Sequence, residues 1–181
     1  MDSSVPNRLS ARRQQIVDAA WHTLETEGQE AVTMRRLAAE LGIKAPSLYK
    51  HFPDKSAVEA ALIDRGFHLW GEMGRRALVD PGDALTNVAR AYRKLANEHP
   101  HVYRLVTEGT LDSARLSPGL EDWSGEPLGA LFTDPDSARA FWAFMHGMAI
   151  MEIDRRFPPD ADLDRAWSSG LDAFQKRRSQ R

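Results

Sequence analysis

The sequence predicts an all-α fold, and three observations support that prediction. Apolar residues recur three or four positions apart, the spacing of one face of a helix, along most of the 181-residue chain. No segment alternates apolar and polar residues in the way that a half-buried strand does. Proline and glycine gather between the periodic segments, as at Pro81-Gly82 and Pro158-Pro159, where they interrupt a helix. The chain is therefore expected to be a series of helices joined by short breaks.

The composition is that of an ordinary globular protein, with 42% hydrophobic and 28% charged residues. Its length allows one domain or two small ones with a real core. Cysteine is absent, which excludes a disulfide framework, a thiol redox sensor and a thiolate metal site. The longest uncharged apolar run, residues 140–151, is shorter than the ~20 residues that a membrane-spanning helix needs. Residues 1–7 are short and polar, unlike a signal peptide, so we expect a cytoplasmic protein with no membrane partner.

The first predicted helix covers residues 10–27. Its apolar face carries residues four positions apart, which are Ile16, Ala20 and Leu24. Arg8, Arg12 and Arg13 lie just before this helix and in its first turn. Two interpretations of these arginines stay open, a solvated terminus and an arm that contacts DNA.

The segment that follows predicts two short helices joined by a tight turn. Thr33 can cap the second helix, because its hydroxyl can accept a hydrogen bond from a free N–H of the first turn. Gly42 ends that helix, because only a residue without Cβ enters the left-handed conformation at little cost. Pro46 suits the first turn of the third helix, where its missing N–H has no intrahelical partner in any case.

The third helix is predicted to expose polar and aromatic side chains. Leu48 and Phe52 lie four apart and face inward. The residues left pointing outward or sideways are Ser47, Tyr49, Lys50 and His51. These side chains suit hydrogen bonds to base edges and phosphates in a DNA major groove. A helical hairpin with no role in DNA binding is the alternative that the pattern alone leaves open.

The charge distribution is compatible with DNA binding although the whole chain has a net charge of −2. Residues 1–56 hold eight Lys/Arg and seven Asp/Glu, whereas the remainder holds sixteen and nineteen. Arg35, Lys44, Lys50 and Lys55 can gather around the second and third helices. A locally basic face of this kind can bind a phosphate backbone while the whole protein is acidic.

The rest of the chain also predicts helices. The expected elements are helices over 54–78, 83–98 and 102–108, one from Asp134 or Asp136 to about Phe157, and a last helix from about Asp162. Dense proline and glycine between 110 and 136 predict loops with one or two irregular short helices, around 120–123 and 127–132. Residues 141–151 are apolar nearly all round, which indicates a central core helix or a subunit interface.

The N-terminal third resembles the DNA-binding domain of the TetR family, the tetracycline-repressor-like bacterial regulators. The matching residues are Ile16-Val17-Asp18-Ala19-Ala20, Leu24, Gly28, Thr33-Met34-Arg35-Arg36-Leu37-Ala38, Leu41-Gly42-Ile43, Ser47-Leu48-Tyr49-Lys50-His51-Phe52 and Asp54-Lys55. Gln29 departs from the pattern, since many members have an aromatic residue there. The resemblance implies a three-helix helix-turn-helix DNA-binding domain over residues 1–56. The DNA contacts that it implies are Thr33, Arg35, Lys44, Pro46, Ser47, Tyr49, Lys50, His51 and Lys55.

The second half resembles a TetR subgroup whose C-terminal domain carries a Trp-His-Gly motif, here Met145-His146-Gly147. The resemblance implies a helical bundle over residues 57–181 that binds a ligand and forms a homodimer through the last two long helices. The candidate dimer residues are Phe144, Met148, Met151, Trp167, Leu171 and Phe174. The alternative for these residues is ordinary core packing.

The candidates for a ligand pocket combine aromatic rings, a methionine and one polar anchor, which suits a drug-sized apolar molecule. They are Phe67, Trp70, Tyr103, Trp123, Trp142, Met145 and His146. Core packing is the alternative for each of them, and His146 fits a hydrogen-bonded core histidine. We expect no metal and no cofactor, because no carboxylate or cysteine completes a site around His99 and His101.

Three functional hypotheses follow. The first is a dimeric, ligand-responsive repressor that binds a palindromic operator and is released by a small hydrophobic effector. The second is a DNA-binding protein without an effector, constitutive or architectural. The third, a small helical enzyme, has no support from a nucleophile elbow, a phosphate loop or a paired acid and base.

Overall fold

A computed structural model describes residues 9–179, and all regular structure in that range is helical. The all-α prediction is confirmed. The α-helices in the described range are α1 Ala11–Glu27, α2 Met34–Glu40, α3 Ala45–Tyr49, α4 Lys55–Val79, α5 Ala84–Glu98, α6 Pro100–Thr107, α7 Leu120–Gly129, α8 Pro135–Ile153 and α9 Leu163–Ser179. No helix in this part of the chain is long and apolar enough to cross a membrane.

The chain forms two compact units, which differ from a division at residue 56. One unit holds the residues up to His68 together with His99–Glu121, and the other holds Leu69–Glu98 together with Asp122 and the residues after it. Local spacing does not predict that α6 belongs with the N-terminal helices, because that grouping depends on contacts between residues far apart in the chain.

The first unit is built on a core of side chains from α1, α2 and α3. Ile16, Leu24, Leu37, Leu48 and Phe52 are fully buried. α6 packs on α1, where His99 Nδ1 lies 2.5 Å from Glu25 Oε1. Burial of one apolar side chain of this size stabilises the fold by about 1.5–3 kcal/mol, so these residues fix the arrangement of the short helices.

The second unit is built on α5, α8 and α9. Five aromatic rings pack with neighbouring centroids 5.1–6.2 Å apart, namely Phe132, Phe141, Phe144, Trp167 and Phe174. A Cβ on Gly170 would come within 2.2 Å of the Phe144 ring, so a glycine is needed where α9 meets that ring. These ring contacts join α8 to α9.

An ion-pair network also joins α5, α8 and α9. Arg93 donates from Nε to Glu152 at 2.9 Å and from Nη1 to Asp164 at 2.5 Å. Trp167 Nε1 donates to the same Glu152 carboxylate at 3.1 Å. The hydrogen bond to Glu152 raises the pKa of the Arg93 guanidinium, against the opposing effect of burial. One arginine therefore holds carboxylates from two helices.

α7 is one continuous helix, which covers the predicted segment 120–123 and the first residues of 127–132. Pro127 lies inside α7 and has no N–H for the carbonyl of Trp123, four residues earlier. Arg75 Nη2 donates to that carbonyl oxygen at 2.5 Å. The acceptor that proline leaves open is thus satisfied by α4, and the helix continues.

α8 ends four residues earlier than expected, at Ile153. Arg155 has φ 52° and is the one described non-glycine residue in the left-handed region. Arg156 N donates to Met151 O at 2.9 Å, and Arg155 N donates to Glu152 O at 3.1 Å. These two bonds form a Schellman cap, which closes the helix before Pro158 is reached. At the other end of α8 the cap is Asp134, one of the two residues predicted for it.

Candidate nucleic-acid interface

The α2–turn–α3 segment has the local geometry that the sequence predicts. Thr33 Oγ1 accepts from Arg36 N at 3.2 Å and caps α2. Gly42 has φ +62°, and Ile43 N donates to Ala38 O at 2.9 Å across the turn. No heavy atom lies within 4 Å of a Cβ built on Gly42, so the backbone conformation, and not space, requires glycine there. The turn is thus a glycine-capped helix end.

Buried side chains hold α3 against the rest of the first unit. Leu48 and Phe52 are fully buried, and Phe52 N donates to Leu48 O at 3.1 Å beyond the last helical residue. Asp54 Oδ1 then accepts from Ala57 N at 2.7 Å and caps α4. α3 is only five residues long, so its position depends on these packed neighbours more than on intrinsic helix stability.

The structure places most of the predicted DNA contacts on the exposed surface of α2 and α3. The exposed members are Thr33, Arg35, Lys44, Pro46, Ser47, Tyr49 and Lys50, whereas His51 and Lys55 are half-buried. Tyr49 is 49% exposed although it is a large aromatic residue. An exposed ring on a short helix beside lysines is an arrangement that can meet base edges and phosphates.

The cations of this surface differ in how far they are already paired. Arg36 is bound to Glu27, and Lys55 Nζ donates to Gln29 O at 3.3 Å and lies 3.5 Å from Glu59 Oε1. Arg35, Lys44 and Lys50 make no ion pair with the described residues. The unpaired charge of this surface therefore lies on Arg35, Lys44 and Lys50, and Lys55 must exchange internal contacts to reach a phosphate.

The predicted pocket residues are dispersed. Phe67 and Tyr103 belong to the first unit, and Trp70, Trp123, Trp142, Met145 and His146 belong to the second. On α8, Met145 is fully buried, whereas Trp142 is 46% exposed and stacks on His146 with ring centroids 5.8 Å apart. Trp123 covers Gly71 and lies under the Arg75 guanidinium, 3.8 Å from ring centroid to Cζ. On α8, Met145 therefore lies in the core, whereas Trp142 and His146 lie together on a more exposed side of the helix.

The predicted dimer residues lie mostly inside the second unit. Trp167 and Leu171 are buried, and the Phe144 ring packs on Trp167 and Phe174. Within one chain, the rings of Phe144, Trp167 and Phe174 form part of the contact between α8 and α9. Met148 is half-buried and Met151 is 41% exposed.

Another face of α8 carries the accessible apolar surface. Its residues, none of them buried, are Trp142, Ala143, His146, Gly147, Ile150 and Met151. The signal in the sequence was their spacing of three and four positions. It was missed because the neighbouring stripe of Phe141, Phe144, Met145 and Met148 is equally apolar.

The comparisons with known proteins agree with this architecture. The model of bacterial regulatory proteins of the tetR family matches residues 16–62, and the model of a tetracyclin repressor-like C-terminal domain matches residues 85–174. The uncharacterized HTH-type transcriptional regulator Rv0681 of Mycobacterium tuberculosis is 30% identical over 161 residues, which span 82% of this chain and 72% of that protein.

Two further proteins are similar over different extents. The nucleoid occlusion factor SlmA of Pasteurella multocida is 30% identical over 122 residues, or 66% of this chain and 53% of that protein. The crystal structure of a TetR variant from Acinetobacter baumannii in complex with minocycline has a TM-score of 0.60 and 23% identity, covering 88% of this chain and 91% of that chain. The second likeness is one of fold. With both family models and a relative matched over most of its length, the chain belongs to the TetR family of DNA-binding transcriptional regulators and is not an enzyme.

Proposed function

We propose that this protein is a homodimeric repressor that reads a palindromic operator through α3 and releases it when a small hydrophobic effector binds. The observation that carries the proposal is the exposed surface of α3. It presents Ser47, Tyr49 and Lys50 to solvent while Leu48 and Phe52 anchor the helix from below. Residues 1–56 are the DNA-binding part in this proposal, and residues 57–181 bind the effector and the partner subunit.

The dimer sets the form of the operator. Two reading helices related by a two-fold axis meet successive major grooves about one DNA turn, roughly 34 Å, apart, so the operator is a (pseudo)palindrome. We assign the partner surface to the α8 face around Trp142 and Met151, because it is the exposed apolar stripe of a long helix. A DNA-binding regulator of this kind works beside the chromosome, which places it in the cytoplasm.

Release by an effector follows from a population shift. In one conformation of the dimer the two reading helices have the spacing that the operator requires, and in another they do not. A ligand that binds the second conformation more tightly lowers operator affinity by its differential affinity for the two. The TetR variant of the same fold was crystallised with minocycline, which supports a small-molecule ligand here. Trp70 and Trp123 are the half-buried aromatic candidates in the second unit. His146-Gly147 matches the last two positions of the Trp-His-Gly motif, which supports membership of that subgroup, whereas Met145 departs from its first position.

The second candidate function is DNA binding without an effector. Its support is the similarity to a nucleoid occlusion factor and the contacts between aromatic rings of α8 and α9. A thermal-shift screen with hydrophobic small molecules separates the two functions. Stabilisation by a ligand that also weakens operator binding supports the repressor, whereas no such ligand favours the second candidate.

The decisive experiment is titration of the purified protein with DNA from upstream of its own gene, beside scrambled DNA, at two salt concentrations. We expect a strong preference for a palindromic segment. Tyr49→Ala should weaken operator binding by about 1–3 kcal/mol, the range for a direct specific contact. Tyr49→Phe is the matched control, because it keeps the ring and removes only the hydroxyl. An unchanged operator affinity of a folded Tyr49→Ala protein contradicts the assignment of Tyr49.

A further inference from the structure

Arg13 lies in the first turn of α1 and reaches the end of the DNA-reading segment. Its Cζ is 4.4 Å from the centroid of the Phe52 ring, which is fully buried. Phe52 follows His51 directly in the chain, so the guanidinium is fixed next to the C-terminal end of the reading segment. The Nε atom is buried and has no hydrogen-bond partner among the described residues.

Arg13 differs from the other arginines that lie over aromatic rings. Four such pairs occur in the described part of the chain, with Arg13 on Phe52, Arg65 on Trp21, Arg75 on Trp123 and Arg93 on Trp167. Arg65 is bound to Asp18, Arg75 to Glu126 and Arg93 to Glu152. Arg13 alone among these four makes no ion pair with a described residue.

The neighbouring arginines Arg12 and Arg36 each have a side-chain hydrogen-bond partner. Arg12 Nη1 donates to Gln15 Oε1 at 2.8 Å, and Arg36 is bound to Glu27. Arg8 lies outside the described residues. A cation in the first turn of a helix also opposes the positive end of the helix dipole, so its position in the free protein is unfavourable. Arg13 is thus an oriented cation with an unfilled requirement for an anion.

We propose that Arg13 binds a backbone phosphate of the operator at the edge of the groove that α3 enters. A guanidinium matches a phosphate with two parallel N–H···O bonds, and stacking on Phe52 orients its planar fork before DNA arrives. Preorganisation of this kind reduces the entropy lost on binding. The inference rests on the proposed operator binding and adds one residue, from α1, to the interface. Arg13 fixes the register of the protein on DNA and reads no base.

The test compares Arg13→Gln with Arg12→Gln on an operator selected from random DNA. Each phosphate contact contributes about one unit to the slope of log K against log salt concentration. Arg13→Gln should weaken operator binding roughly tenfold, as expected for a charge-assisted bond, and should reduce that slope by about one. Its order of preference among operator variants should stay as in the wild type. Arg12→Gln should keep the wild-type slope.

A scan with single neutral methylphosphonate linkages locates the phosphate. At one linkage the neutral substitution should weaken binding of the wild type but should not weaken binding of Arg13→Gln. If each neutral linkage weakens binding of the two proteins equally, the inference is overturned. A wild-type slope in folded Arg13→Gln would overturn it as well.

If that variant does not fold, Arg13→Lys is the test, because lysine keeps the positive charge and lacks the planar guanidinium. It should bind severalfold more weakly at an unchanged slope, and wild-type affinity contradicts the inference. A wild type without a preferred operator overturns the proposed function and this inference together, whereas the variant results bear on Arg13 alone.

Discussion

Two adjacent arginines on α2 show how the recognition surface depends on individual ion pairs. Arg35 and Arg36 have the same side chain and are both exposed, but only Arg36 is bound to a carboxylate, that of Glu27. An arginine that is already paired must give up that partner or share it before it binds phosphate. The free charge on α2 is therefore concentrated at Arg35.

This difference predicts unequal effects of two neighbouring substitutions. Arg35→Ala should weaken operator binding and reduce the magnitude of the salt slope by about one, because it removes an unpaired cation. Arg36→Ala should leave the slope within about half of that change. Fluorescence anisotropy at four or more salt concentrations measures both. If both variants reduce the slope by the same amount, the Arg36–Glu27 pair opens on DNA. A wild-type slope for Arg35→Ala contradicts the prediction.

At the level of helices, the sequence predicted caps and turns well. Thr33 and Gly42 act where they were expected, because capping depends on neighbours in the chain. The sequence did not predict that the helix would continue through Pro127, and it placed the end of α8 four residues too late. Pro127 stays inside a helix because Arg75, 52 positions earlier, satisfies the carbonyl that the proline leaves open. The spacing of residues within one segment does not predict a contact with a residue this far away in the chain.

The link between Arg75 and α7 predicts the behaviour of one variant. Arg75→Met keeps much of the side chain that packs on Trp123 but removes the donor to the Trp123 carbonyl. We expect a loss of unfolding free energy of about 1–3 kcal/mol, because the part-buried Trp123 carbonyl loses its partner and the ion pair with Glu126 is also lost. Urea denaturation followed by circular dichroism measures it. Arg76→Met is the control, since Arg76 is exposed and, among the described residues, forms an ion pair with Glu72 alone. Equal stability of the two variants contradicts this account of α7.

The end of α8 predicts a stabilising change. Arg155 occupies the left-handed position of a Schellman cap, where a residue with Cβ is strained. Arg155→Gly should raise the free energy of unfolding by up to about 1 kcal/mol, as the relief of that strain exceeds the entropy that glycine gains in the unfolded chain. The midpoint of thermal unfolding reports the change. A lower midpoint than that of the wild type would mean that the Arg155 side chain contributes more than its backbone costs.

At the level of the whole molecule, the sequence predicted the family, the fold and a reading surface, but it did not separate the two apolar stripes of α8. Phe141 and Met145 face the core of their unit, and Trp142 and Met151 do not. Both stripes recur at helical spacing, so only the positions of α5 and α9 distinguish them. The pocket candidates stay a prediction for the same reason, because aromatic residues that fill a core and those that line a cavity have the same sequence pattern.

The exposed stripe makes a prediction about assembly that variants of single residues can test. A glutamate at the centre of an apolar two-fold contact faces its own copy, so it introduces like charges and buried polar groups at once. Trp142→Glu should therefore convert the protein to a monomer in sedimentation velocity while its helical circular dichroism stays unchanged. The monomer holds one reading helix, and its operator affinity should fall to the nonspecific level. Val79→Glu is the matched control, because Val79 is 83% exposed and lies outside α8. A Trp142→Glu dimer that still binds its operator would move the subunit interface to another surface, whereas a monomer that binds scrambled and operator DNA equally supports the proposed dimer.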